Sequence, residues 1–205
     1  MWVPIALSRD IPRCVTRAVL LEGQELVIWR GDAGSAQVWE DRCPHRGMRL
    51  SLGFVRENSL NCLYHGWEYG AGGSCAKIPA HPDLTVPPTI KANAFSSTET
   101  GGLILIDLAR AAGPPPMFLA GRPIASLAIM SDIGTVLALA GGLPEAGVQV
   151  FETELDGVRL TIGWHVPGPG KLMLHVVAVD PGNVESRALV ALHRLRAQAE
   201  AGVTA

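Results

Sequence analysis

The sequence predicts an α+β protein in two parts, an all-β first half and a small α+β second half. Three observations carry this. Turn signals cut residues 1–112 into short β-prone segments, a proline-rich stretch follows, and helical spacing occurs only after it. The stretch is Ala111-Ala112-Gly113-Pro114-Pro115-Pro116. Three successive prolines continue neither a strand nor a helix interior, so it reads as a stiff linker between domains 1–112 and 113–205.

In the first half, Val15–Leu21 and Glu25–Arg30 are strands joined across Glu22-Gly23-Gln24, a short hairpin loop. Gly31-Asp32-Ala33-Gly34 is the next turn and Ala36–Trp39 the next strand. Gly53–Val55 and Ser59–Leu63 flank a hairpin at Arg56-Glu57-Asn58, and Trp67–Tyr69 and Cys75–Ile78 flank another at Gly70-Ala71-Gly72-Gly73. Lys91–Phe95 and Leu103–Asp107 close the half. Many short strands with frequent turns make a small antiparallel sandwich or barrel.

In the second half, Ile124–Met130 is a strand. Ser131 or Asp132 caps a helix through about Ala140, which Gly141-Gly142 ends. Gln149–Leu155, Val158–Val166 and Lys171–Val179 are strands, with turns at Asp156-Gly157 and Pro167-Gly168-Pro169-Gly170. Val184–Ala199 has helical spacing, with Leu189, Leu192 and Leu195 on one side. The order is β-α-β-β-β-α, a layered α+β arrangement.

Composition narrows the function. The chain has 205 residues, 48% of them hydrophobic and 18% charged, with mean hydropathy +0.24. Such a chain buries a sizeable core and is not disordered. The 17 Lys and Arg nearly balance 19 Asp and Glu, which argues against nucleic acid or an anionic membrane as partner. The opening residues lack the pattern of a secretory signal. The longest apolar stretch, about 123–143, is broken by Asp132, Gly134 and Gly141-Gly142, short of a membrane span. A cytoplasmic location is expected, and there four spaced cysteines point to metal or catalysis rather than disulfides.

The chemistry concentrates in Cys43-Pro44-His45 and Cys62-Leu63-Tyr64-His65. Each segment offers one thiolate and one imidazole, and two such loops facing each other present two of each. Zinc accepts two Cys and two His in a tetrahedron. A Rieske [2Fe–2S] cluster takes two Cys on one iron and two His on the other. Spacing leaves both open, although common zinc modules cluster Cys with Cys and His with His, whereas each loop here mixes the two.

Asp41-Arg42-Cys43-Pro44-His45-Arg46-Gly47 together with Cys62-Leu63-Tyr64-His65-Gly66-Trp67 resembles the cluster-binding domain of the Rieske non-haem iron oxygenases. Trp2-Val3-Pro4-Ile5-Ala6 resembles that family's N-terminal strand and Gly101-Gly102-Leu103-Ile104 its closing strand. Leu50-Ser51-Leu52-Gly53 and Ile78-Pro79-Ala80 also fit. The resemblance covers about residues 1–110. It implies a Rieske-type [2Fe–2S] cluster held by Cys43, His45, Cys62 and His65. Rieske proteins of the respiratory bc complexes carry an extra disulfide-forming cysteine in each loop; Met48 and Tyr64 stand at those positions here. Their second loop also aims a Ser hydroxyl at the cluster, where this chain has Trp67. Loss of that donor implies a potential toward the lower end of the Rieske range.

Other residues are weighed beside the motif. Arg42, Arg46 and Arg49 crowd the first loop, as a docking face or as charges bonded locally. Cys14 and Cys75 lie in strand-like stretches and read as structural, and His81 as a loop residue. An oxygenase also needs a mononuclear iron on two His and a carboxylate. The family's closely spaced His motif is absent from residues 113–205, where His165, His175 and His193 are far apart. Were Val166 to face Lys171 across the hairpin, His165 and His175 would fall on opposite faces of the ribbon. The second half faintly resembles a shortened version of the oxygenase helix-grip domain, with no ligand carried over.

The resemblance therefore implies a one-electron carrier lacking its own mononuclear iron. Its partners would be a reductase, a terminal oxygenase or both, and an oligomer fits the family. A compact hydroxylase or demethylase, and a non-enzymatic redox sensor, are the alternatives.

Overall fold

The computed structural model describes residues 1–109 and 113–201. The predicted linker is therefore described only from Gly113, since Ala111 and Ala112 lie outside the described residues. Alternating apolar residues and tight turns produce β1 (Trp2–Leu7), β2 (Val15–Leu21), β3 (Gln24–Arg30), β4 (Ala36–Glu40), β5 (Phe54–Arg56), β6 (Ser59–Asn61), β7 (Glu68–Gly70), β8 (Cys75–Lys77), β9 (Ala94–Thr100) and β10 (Leu103–Asp107). After the prolines come β11 (Arg122–Ile129), α1 (Ile133–Ala140), β12 (Leu143–Pro144), β13 (Val150–Leu155), β14 (Val158–Gly168), β15 (Lys171–Ala178) and α2 (Glu185–Ala201). The two-residue β12 has no counterpart in the sequence reading; Pro144 obscures it.

Packing gathers the described residues into two compact units. One comprises Asp10–Leu20 and Gln24–Ser97; the other comprises Met1–Arg9, Leu21–Gly23 and the chain from Thr98 onward. In the first unit β3 lies between β2 and β4, and β4 pairs antiparallel with the start of β9 (Val38 opposite Phe95). A second sheet runs β5-β6-β7-β8, each pair antiparallel. The core beneath holds Trp29, Trp39, Leu50, Leu60 and Tyr69. Trp29 and Trp39 meet edge-on with ring centroids 4.9 Å apart, a favoured aromatic geometry.

In the second unit the sheet order is β11-β15-β14-β13-β12. One face packs Ile162, Trp164, Leu172, Leu174 and Val176 against Val136 of α1 and Ala188, Leu192 and Leu195 of α2. The other packs Val150 and Val177 against Trp2 and Leu7 of β1 and Leu103 and Leu105 of β10, an antiparallel pair. Asp132 caps α1 as predicted, its carboxylate accepting the Thr135 N–H at 3.0 Å. Gly141 ends it in the left-handed conformation, φ 68°.

The β14–β15 register corrects the sequence reading. Gly168 pairs with Lys171 across a two-residue turn, and a bulge at Val166-Pro167 then places His165 opposite Met173 and Gly163 opposite His175. Proline has no N–H for the ladder, so the pairing breaks there. The Val166 and Pro167 carbonyls accept the Glu22 and Gly23 N–H groups instead, at 2.7 and 3.0 Å. The slip of one residue moves His165 and His175 onto the same face.

Candidate metal centre

The two cluster-binding segments fold as equivalent turns. In the first, the Gly47 N–H donates to the Cys43 carbonyl (2.8 Å) and the Cys43 N–H to the Met48 carbonyl (2.8 Å). In the second, the Gly66 N–H donates to the Cys62 carbonyl (2.9 Å) and the Cys62 N–H to the Trp67 carbonyl (3.0 Å). Gly47 and Gly66 have φ of +70° and +68°, a conformation that favours glycine. Each turn buries its cysteine at the base and lifts its histidine to the rim.

The four predicted ligands come together as two like pairs. Cys43 and Cys62 are 3% and 2% exposed and lie in the core of the unit. Cys43 lies near enough to add to the upward push that burial exerts on the Cys62 thiol. His45 and His65 are at the surface, with ring centroids 4.6 Å apart. His45 stacks on Trp67 at 4.2 Å and 6° between planes, and His65 on Tyr64 at 3.9 Å. Neither imidazole spends a ring nitrogen on a hydrogen bond among the described residues. A thiol pair below and an imidazole pair above is the donor arrangement a cluster with Cys on one iron and His on the other requires. Among the described residues no group of three or more Cys, His, Asp or Glu converges as one metal ion would need. It is the split of the donors into a thiol pair and an imidazole pair that fits a Rieske cluster.

The surroundings tune the donors. Burial, above all, pushes the Cys62 thiol up. Desolvation, then the charges of His65 and Arg46, push the His45 imidazole down. The Tyr69 hydroxyl lies 3.1 Å from the Cys43 sulfur. Tyr69 is fully buried and its phenol is pushed up by burial and by Cys43; with Cys43 bound to iron as a thiolate, the hydroxyl would be the group with a proton to donate. Trp67 removes one donor relative to the bc complexes, but Tyr69 supplies another that the sequence reading missed. Its signal is the strand alternation that turns Tyr69 inward on β7 while its neighbours Glu68 and Gly70 are partly exposed.

The remaining candidates separate. Arg42 and Arg49 both pair with the Glu25 carboxylate, and Arg42 also donates to the Gly47 carbonyl at 3.3 Å. Two of the three arginines are therefore bonded locally, and Arg46 is exposed. Cys75 is buried at 8%, as expected of a structural thiol. Cys14 is not: it precedes β2, exposed, in a left-handed turn with φ 61°. His81 lies in an exposed loop. His165 and His175, expected on opposite faces, are hydrogen-bonded instead, His175 Nε2 to His165 Nδ1 at 3.1 Å, with Ser126 Oγ 2.9 Å from His175 Nδ1.

Comparison with known proteins agrees with this geometry. Residues 1–88 match the Rieske [2Fe-2S] domain family. The chain is 43% identical over 159 residues to Oxidoreductase NdmD of Pseudomonas putida, covering 77% of this chain and 24% of that protein. It is 44% identical over 113 residues to Methylxanthine N1-demethylase NdmA of Pseudomonas putida, covering 52% of this chain and 32% of the other. The chain thus spans a quarter to a third of these relatives' length. Among solved structures, NdmA of Pseudomonas putida with caffeine superposes with TM-score 0.76 at 18% identity, covering 98% of this chain and 80% of that one. That likeness is one of fold and takes in both halves of the chain. No helix among the described residues is long and apolar enough to cross a membrane.

Proposed function

We propose, from the premise that residues 1–88 are a Rieske [2Fe–2S] domain, that this chain carries single electrons within an oxygenase system. The observation that supports this most is the buried thiol pair beneath an imidazole pair at the surface, His65 exposed and His45 partly so. Cys43 and Cys62 would hold one iron and His45 and His65 the other. When bound, the cluster supplies a one-electron couple, at a higher potential than four thiolates would give. The protein's residues do the rest. The core around Trp39 and Leu60 keeps water from the thiol side. Tyr69 donates to the Cys43 sulfur and steadies added negative charge there. The rings of His45 and His65, partly exposed and exposed, offer a short path for electrons.

A reductase would feed the centre and a terminal oxygenase would drain it, in the cytoplasm and without a mononuclear iron in this chain. Residues 1–112 would then be the working domain, and 113–205 a packing or interaction module. A compact oxygenase is the second reading, favoured by the fold shared with NdmA across both halves.

Iron and acid-labile sulfide per chain, measured on anaerobically purified protein, test this. About two irons to two sulfides supports the carrier. About three irons to two sulfides transfers the assignment to the oxygenase. Zinc without sulfide rejects both.

A further inference from the structure

The two ligand turns are alike in backbone but not in what secures them. The first is closed from outside by Glu25, the second residue of β3. One oxygen of its carboxylate meets Arg42 and the other Arg49, the residues immediately before Cys43 and after Met48. The Glu25 carbonyl accepts the Asp41 N–H at 2.9 Å. Asp41, buried, accepts the Ser51 N–H (2.7 Å) and hydroxyl (2.6 Å), closing the same loop one step further out. No carboxylate spans the second turn among the described residues; Glu68, beyond its end, meets Lys77 at 3.8 Å. Glu25 is 28% exposed and each arginine about half, so solvent screening is partial.

We propose that Glu25 is a positioning residue for the cluster, acting through Arg42 and Arg49. This rests on the Rieske assignment above. Its carboxylate holds the ends of the first turn together, which keeps Cys43 and His45 in register with Cys62 and His65. It also balances two guanidiniums that would otherwise stand beside the centre uncompensated. Reduction adds one negative charge to the centre. A neighbouring carboxylate opposes that charge and a neighbouring cation favours it, so loss of Glu25 raises the midpoint potential.

The experiment is redox titration of Glu25→Gln and wild type, each with two irons and two sulfides, beside the rate of iron release to a chelator. The expected result is a midpoint shifted upward, most at low salt, and release several-fold faster. Glu25→Asp restores the midpoint toward wild type. If Glu25→Gln does not fold, Arg42→Gln/Arg49→Gln takes its place, with the midpoint shifted downward and release again faster. A loaded variant with wild-type midpoint and wild-type release overturns the role of Glu25. A wild-type chain holding zinc, or no sulfide, overturns the Rieske assignment instead, before any variant is made.

Discussion

His45 and His65 face each other across two loops, ring centroids 4.6 Å apart; His165 and His175 face each other across two strands, 5.1 Å apart. The first pair lies at the surface, each ring stacked on an aromatic face, with no hydrogen bond to its nitrogens among the described residues. The second pair is 3% and 2% exposed, and its facing nitrogens are spent on each other and on Ser126. What makes a histidine pair available to a metal is thus not closeness but uncommitted nitrogens. A buried neutral imidazole must find hydrogen-bond partners. An exposed one can wait for a metal, with water as its partner meanwhile.

Substitution separates the pairs most sharply. His65→Ala should abolish the [2Fe–2S] absorbance and electron paramagnetic resonance signal while leaving circular dichroism unchanged, because the ring is exposed. His175→Ala should do the reverse. Iron and sulfide stay at wild-type levels, while urea unfolding reports a loss of about 2–4 kcal/mol from the cavity and the unpaired groups left behind. Cluster loss in His175→Ala at full stability would erase the distinction.

Acidity sharpens it next. The His175 imidazole is pushed down to about 3 by burial and then by His165, from an ordinary value of 6.5. The folded state therefore binds this proton less readily than the unfolded state. Stability from this group is complete above about pH 6.5 and falls as pH drops toward 3, with a slope of roughly 1.4 kcal/mol per pH unit at most. Urea midpoints between pH 7 and 4 measure it, and the slope should flatten in His175→Ala.

The smallest effect belongs to the cluster side. Tyr69→Phe removes the donor to the Cys43 sulfur. The midpoint potential should fall, while stability changes by about 1 kcal/mol. An unchanged potential would mean that the hydroxyl gives the sulfur no hydrogen bond.

The cluster motif was legible because its chemistry is local. Cys43-Pro44-His45 and Cys62-Leu63-Tyr64-His65 each sit before a glycine that closes the turn, and the donors are set by residue type alone. The strands and both helices were legible for the same reason: the Asp132 cap and the Gly141 stop act within one turn of α1. Tyr69 was harder, since strand alternation says that it points inward but not that it meets Cys43, 26 residues earlier.

By itself the sequence determined the α+β class, most element positions and the four candidate ligands, because periodicity, capping and turn chemistry are decided between near neighbours. Only the tertiary structure decided the β14–β15 register, the meeting of His165 with His175, and the joining of Arg42 and Arg49 through Glu25. The register turns on a bulge at Val166-Pro167 whose carbonyls are taken by Glu22 and Gly23, more than a hundred residues away in the chain. A pairing that depends on so distant a partner leaves no local pattern to read, and a slip of one residue is enough to turn every side chain to the other face.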